Sequence, residues 1–371
     1  MADISTNLRE LSVAFFLISP SKYFPSINPQ LFTEFCNKHI ENCNIDITHI
    51  SSNNIKFNSD ALAILKNGFN LAVKLRETLG INGIKNIQWV GNLTQSDSPV
   101  DLIVNDYKLS LKEESYILEN MGLYKLLNII SNSEDHPRGL HVFETFAKRD
   151  LFTWYETTRD LLIKLGPSRF IHNGSGYFSE GILKDNKLTL NYNNTSISKI
   201  NNFSESTYAD FKSRTNSKTR ERVFSKWIRE KISQSPIYVK AKSKCSQAAG
   251  DKIVSIYGKY IGSSNIQLLR LFRIHDYTYY YSKTTSTSVQ IFQVPTIQDS
   301  LNKIIINKFY HSVPDSQLNI ITEILNTQNN KTFGFRNELR YSHGQFNGTP
   351  EAKLYHERCA DLSIMYNVLS R

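Results

Sequence analysis

Apolar residues recur at helical spacing through SDALAILKNGFNLAVKLRETLG, where Leu62, Leu65, Phe69, Ala72, Val73, Arg76 and Glu77 define one side of a helix predicted over residues 58–80. Gly80 supplies its stop. The pattern then changes. NIQWV at 86–90, VDLIV at 100–104 and YKLSL at 107–111 read as strands, the last two joined through the turn-forming pair Asn105 and Asp106. Ser115 can cap a following helix with Ile117, Leu118, Met121, Tyr124, Leu127 and Ile130 on its apolar side. Residues 140–166 read as helical, and residues 181–192 as a hairpin turning at Asp185 and Asn186. A polar tract at 191–217 reads as an exposed loop or a seam between domains. A helix is expected over 211–231, with Val223, Trp227 and Ile228 or Ile232 on one side. Strands are expected at IHDYTYYYSK and VQIFQV, then helices near 297–310 and 354–368.

At the other end of the chain, Pro20, Pro25 and Pro29 interrupt any continuous helix in the first 45 residues. The apolar stretch 13–18 is too short to span a bilayer, and Glu10 falls where a signal peptide would carry only positive charge. That stretch reads as the buried side of a first helix. With no long apolar run, no membrane association is expected. Cys36, Cys43, Cys245 and Cys359 lack CxxC spacing, which favours a reducing, cytoplasmic location over a disulfide or zinc framework.

Charge adds a partner class. Lys and Arg number 44 against 34 Asp and Glu, a formal charge of +10 that attracts polyanions. Eight of those basic residues lie between Lys212 and Lys231, opposed there only by Glu221 and Glu230. In this helix Arg220, Lys226 and Lys231 suit phosphate contacts that position DNA without reading it. Residues 335–353, FRNELRYSHGQFNGTPEAK, carry side chains suited to base edges: Arg336 or Arg340 toward guanine, Gln345 or Asn347 toward adenine, with His343 among them.

The window of residues 98–115, SPVDLIVNDYKLSLKEES, carries the chemistry. Asp101 opens one strand, and Ser110 and Lys112, two apart on the next, share a face. A carboxylate there can hold a hard divalent cation with help from the backbone carbonyl between Ser110 and Lys112. Lys112 beside such an ion can orient or deprotonate water and offset charge on a phosphorane. Pro99-Val100-Asp101, then Ser110-Leu111-Lys112, resembles the core motif of the PD-(D/E)xK nucleases, among them the type II restriction endonucleases.

The resemblance covers roughly residues 59–130. It implies an α/β (α+β) fold with a restriction-endonuclease-like core, a central mixed sheet flanked by helices. It also implies Mg²⁺-dependent hydrolysis of double-stranded DNA at a specific short site by a homodimer. By the same resemblance Asp101 binds metal, Lys112 is the catalytic lysine, and Ser110 stands where the family usually has Glu or Asp. The missing carboxylate then comes from Glu77, Glu113, Glu114 or Glu119, with Glu77 and Glu119 favoured. The chain divides, on this reading, into a helical cap at 1–57, a nuclease core at 58–200 and a basic, aromatic-rich recognition region at 201–371. The alternatives are a non-catalytic DNA- or RNA-binding protein, or a repair or recombination nuclease of the same fold. No P-loop, dinucleotide, zincin or serine-hydrolase motif competes.

Overall fold

The computed structural model describes residues 4–19, 28–45, 57–91, 98–113, 122–134, 141–174, 177–193, 196–215, 218–284, 288–340, 345–346, 351–356 and 362–370. Three helices lead: α1 (Ile4–Ile18), α2 (Pro29–His39) and α3 (Ser59–Leu79), followed by strands β1 (Ile87–Trp89), β2 (Leu102–Val104) and β3 (Tyr107–Glu113). Next come α4 (Leu123–Ser131), α5 (Val142–Phe146), α6 (Lys148–Lys164), and the strands β4 (Ser168–Gly174), β5 (Tyr177–Lys184), β6 (Lys187–Tyr192) and β7 (Ser196–Ile200). Four helices follow, α7 (Tyr208–Arg214), α8 (Lys218–Lys231), α9 (Pro236–Tyr257) and α10 (Ile266–Leu271). The remainder holds β8 (Tyr279–Thr284), β9 (Val289–Val294), α11 (Ile297–Ser300), β10 (Ile304–Ser312), β11 (Asn319–Asn326), β12 (Lys331–Arg340), β13 (Glu351–His356) and β14 (Asn367–Ser370). The fold is mixed α and β, and it contains a mixed sheet.

Two compact units form, each from separated stretches: residues 1–116, 269–303 and 361–371 in the first, 117–268 and 304–360 in the second. This differs from the contiguous division at 57 and 200. The second unit interrupts the first because the neighbour of β3 in the sheet is β8, far along the chain. The first unit's sheet runs β1-β2-β3-β8-β9-β14. β1, β2 and β3 are antiparallel in sequence, β3 and β8 are parallel, and β9 is antiparallel to both β8 and β14.

One face of this sheet is apolar. Leu102, Val104, Leu109, Leu111 and Ile291 join a buried cluster with Leu11, Phe15 and Phe16 of α1, Phe32 of α2, and Leu65, Leu71 and Leu75 of α3. Period-two alternation therefore turns Ser110 and Lys112 to the opposite face. Helix α3 forms where the sequence places it. Asn58 caps its start by accepting from the Ala61 amide, and Gly80 ends it at φ 64°.

The second unit holds two four-stranded antiparallel sheets, β4-β5-β6-β7 and β10-β11-β12-β13. The hairpin of β5 and β6 turns at Asp185 and Asn186, both at positive φ, as expected. Helix α8 covers the first of these sheets, burying Val223, Phe224, Trp227 and Ile228. Its approach is close at β5, where a Cβ on Gly181 would come within 2.5 Å of the Trp227 ring.

Several expected elements differ. The helix expected over 297–310 is one turn, α11, followed by β10; Ile304-Ile305-Ile306 supplies β-branched side chains suited to a pleated surface. Where a helix was expected over 354–368, β13 and β14 are strands, with a 3-10 turn at Leu362–Ile364 between them. The polar tract at 191–217 holds β7 and α7 and buries Phe203 and Phe211, so it is integral to the second unit. Of the helix expected from Ser115, α4 begins at Leu123 with Gly122 as N-cap; residues 114–121 lie outside those described.

Candidate active site

The β2–β3 hairpin draws together the three residues that the sequence singled out. The register pairs Leu102 with Leu109, which sets Asp101 against Ser110. The Asp101 amide donates to the Leu109 carbonyl at 2.8 Å, fixing the start of the strand. Its carboxylate is almost buried and well held: Oδ2 accepts from the Leu111 amide at 2.7 Å and from Ser110 Oγ at 3.5 Å. Lys112 Nζ donates to both carboxylate oxygens, at 3.0 and 2.9 Å. The lysine side chain keeps 30% of its surface exposed against 9% for Asp101, so the pair sits at the mouth of a buried polar spot. Ser110 is fully buried.

A second carboxylate belongs to this spot, and it comes from α1. Glu10 is only 3% exposed, and its Oε2 accepts from Trp89 Nε1 at 2.7 Å. Burial pushes the Glu10 carboxyl up to about 7, and repulsion from Asp101 pushes in the same direction. The Trp89 hydrogen bond and the charges of Lys112 and Arg9 oppose the rise. Gly91 lies close beside it, so that a Cβ there would come within 2.3 Å of Glu10 Oε2 and displace that side chain.

Glu10 was not among the acids proposed from sequence. It lies just before the apolar stretch 13–18, in a helix more than ninety residues before Asp101, and its single available signal was an acid on the turn that leads into residues destined for the core. Glu77, by contrast, is exposed on α3, whose buried positions are Ala61, Leu65, Gly68, Leu71, Ala72 and Leu75. The expectation that it faces the core is corrected: it sits on the opposite side of the helix from that stripe. Glu114 and Glu119 lie outside the described residues, as does the side chain of Glu113.

The face carrying Ser110 and Lys112 is also basic. Lys283 of β8 is the register partner of Lys112 and shares its face, and Tyr281 is the partner of Ser110. Lys108, two before Ser110, holds its ammonium 3.9 Å from the centre of the Tyr277 ring, whose hydroxyl bonds Ser98 Oγ at 2.9 Å.

Two oxygen-donor carboxylates form a donor set suited to a hard divalent cation such as Mg²⁺, which commonly takes one or two carboxylates and leaves its other positions to water and phosphate. Asp101 and Glu10, buried together and repelling one another, are the residues whose charge such an ion would neutralise. Among the described residues no group of three or more His, Cys, Asp or Glu side chains forms a metal cluster. A structural zinc site of that kind has no counterpart there.

The residues expected to contact DNA are placed differently from one another. Lys231 pairs with Glu230 at 2.7 Å, and Lys226 is half-buried. The side chain of Arg220 and residues His343 and Asn347 lie outside the described residues. Arg340 Nε donates to Glu338 Oε1 at 3.0 Å, and its guanidinium lies 5.2 Å from the centre of the Tyr355 ring. Gln345 is buried, its Oε1 accepting from the Tyr238 hydroxyl at 2.7 Å. The Gln345 side chain, expected to suit a base edge, is thus held by Tyr238 within the second unit. No described helix is long and apolar enough to cross a membrane.

Comparisons of this chain with protein-family models, with curated proteins and with solved structures found no match.

Proposed function

We propose that this protein is a Mg²⁺-dependent endonuclease that hydrolyses phosphodiester bonds of double-stranded DNA at a specific short sequence, a type II restriction activity on a restriction-endonuclease-like core. The observation that carries this reading is the junction of Asp101 and Lys112 across the β2–β3 hairpin, with the buried carboxylate of Glu10 in electrostatic contact with Asp101. Its setting supports the same reading. Helix α3, strand β1 and the hairpin follow in the order that the resemblance implies, and β3 pairs in parallel with β8.

Asp101 and Glu10 would hold the ion, which when bound supplies Lewis-acid stabilisation of phosphate charge and a more acidic water. Asp101 is held in place for this by the Leu111 amide. Lys112, already beside Asp101, can donate to a non-bridging phosphate oxygen and to the attacking water, offsetting the charge that builds in the transition state. Water oxygen would bond to phosphorus, giving up a proton to solvent, as the bond to the 3′ oxygen breaks; that oxygen takes a proton from solvent and leaves as a 3′-hydroxyl, and the phosphate stays on the 5′ end. Ser110 donates to Asp101 and keeps the carboxylate oriented. Lys108 and Lys283 add positive charge on the same face, where a DNA backbone would pass. A homodimer would match a two-fold symmetric site.

Incubating the purified full-length chain with plasmid DNA tests this, with Mg²⁺ or with excess EDTA, alongside Asp101→Ala and Lys112→Ala. Discrete fragments with Mg²⁺ only, lost in both folded variants, are expected. Wild-type cleavage by either variant would remove the hairpin as the active site. DNA binding without cleavage under all metal conditions would favour a non-catalytic nucleic-acid-binding protein.

A further inference from the structure

The second unit contains a cavity of about 870 Å³ between the end of α8, the start of α9, the turn before β11 and the end of β12. That size falls in the range of about 300–1,000 Å³ found for small-molecule sites. Three cations line it: Arg229 from the last turn of α8, Lys242 from α9 and Arg340 from β12. Two carboxylates, Asp315 and Glu338, and the Gln345 amide line it as well. Arg340 is fixed by its hydrogen bond to Glu338 and its position over Tyr355. Gln345 is fixed by Tyr238, another lining residue. Arg340 and Gln345 are thus held in place at the cavity wall.

Like charges meet here. Lys242 is partly desolvated and lies within electrostatic reach of Arg229, and both effects lower its affinity for a proton, with Asp315 opposing them. An anion seated between the two cations would relieve that repulsion. A lone phosphate would leave most of the volume unfilled and would not use the carboxylates. Carboxylate and amide oxygens accept from the amino and imino groups of nucleobases, while arginine and lysine take phosphate.

We propose that this cavity is a binding site for a nucleoside monophosphate unit, with the phosphate held by Arg229 and Lys242 and the base edge met by Glu338, which Arg340 holds in place, and by Gln345. The unit is either a free nucleotide or an unstacked nucleotide of a DNA strand. The site stands on the second unit's own residues and does not depend on the nuclease reading.

Titration of the full-length chain with 2-aminopurine deoxyriboside 5′-monophosphate, without divalent metal, tests this by fluorescence. Saturable one-to-one binding is expected, with competition by natural deoxynucleoside 5′-monophosphates and at least tenfold weaker competition by inorganic phosphate or by nucleosides. Arg229→Ala, at an exposed position, and Lys242→Met should each weaken binding at least tenfold, with circular dichroism confirming that they fold. Asp101→Ala should bind as wild type does. Displacement of the probe by a twelve-residue single-stranded oligonucleotide at lower concentration than by mononucleotides assigns the site to a DNA strand; the reverse order assigns it to the free nucleotide. The proposal is overturned if neither probe nor oligonucleotide binds saturably, if phosphate competes as well as nucleotide, or if both folded variants bind like wild type.

Discussion

A carboxylate that is 3% exposed, as Glu10 is, carries a desolvation cost whenever it ionises, and the neighbouring Asp101 charge adds to it. Because its folded-state affinity for a proton is raised, from 4.5 to about 7, its contribution to stability is complete below pH 4.5 and is lost as the pH climbs through 7. The full swing is on the order of 3 kcal/mol, at about 1.4 kcal/mol for each pH unit. In EDTA, the melting temperature of the wild type should therefore fall between pH 5 and pH 8 relative to that of Glu10→Gln, and Mg²⁺ added at pH 8 should recover the wild type selectively. Parallel melting curves for the two proteins across that range would remove Glu10 from any role as a strained acid. The same residue separates two metal-ligand assignments. Glu10→Gln should raise the Mg²⁺ concentration needed for cleavage at least tenfold and lower turnover, whereas Glu77→Gln, on an exposed helix position, should leave both unchanged in a metal titration. The hairpin triad was legible in the sequence because its members lie within twelve residues and strand alternation fixes their face. Glu10 was not, because its proximity to Asp101 is created by packing α1 beside the sheet, a contact across 91 positions that no local spacing encodes.

Elements were legible where local chemistry and burial agreed. Helix α3 had a cap, a stop and an apolar stripe, and the hairpins had Asn and Asp at positive φ in their turns. They were misread where the two separated. In β10, Ile304, Ile306 and Phe309 are buried, a spacing broken by the register shift between Ile306 and Lys308. That bulge moves Phe309 out of strict alternation and lets the stretch resemble a helical repeat. The charged helix α8 was identified, but its apolar side was read without its partner, which is the β4-β5-β6-β7 sheet. One close approach in that interface is Gly181 under Trp227. Gly181→Ala should force the indole or the strand to shift and cost about 1–3 kcal/mol in urea unfolding. Trp227→Ala should cost about 3–5 kcal/mol by leaving a cavity. If Gly181→Ala unfolds at the wild-type midpoint, the close approach of α8 to β5 is wrong.

At the scale of the whole molecule, the positive excess of ten charges is the property most plainly written in the composition, and it speaks to partner rather than to fold. The division into units was not legible, since β3 pairs with β8, so the second unit's residues interrupt the first along the chain instead of following it. The excess charge should appear as steep salt dependence of DNA binding, because each neutralised phosphate releases condensed counterions. Replacing Arg220, Lys226 and Lys231 together by Gln should flatten the slope of log K against log salt by up to about three units. The loss should be smaller to the extent that Lys231 remains committed to Glu230. Binding should weaken about equally for cleavable and unrelated duplexes, since these side chains would meet phosphates and not bases. Fluorescence anisotropy with both duplexes, over sodium chloride from 50 to 300 mM, an interval of about sixfold that suffices to resolve one unit of slope, checks this. An unchanged slope would assign the basic face of α8 to solvent, and a loss confined to the cleavable duplex would make it a reader of sequence.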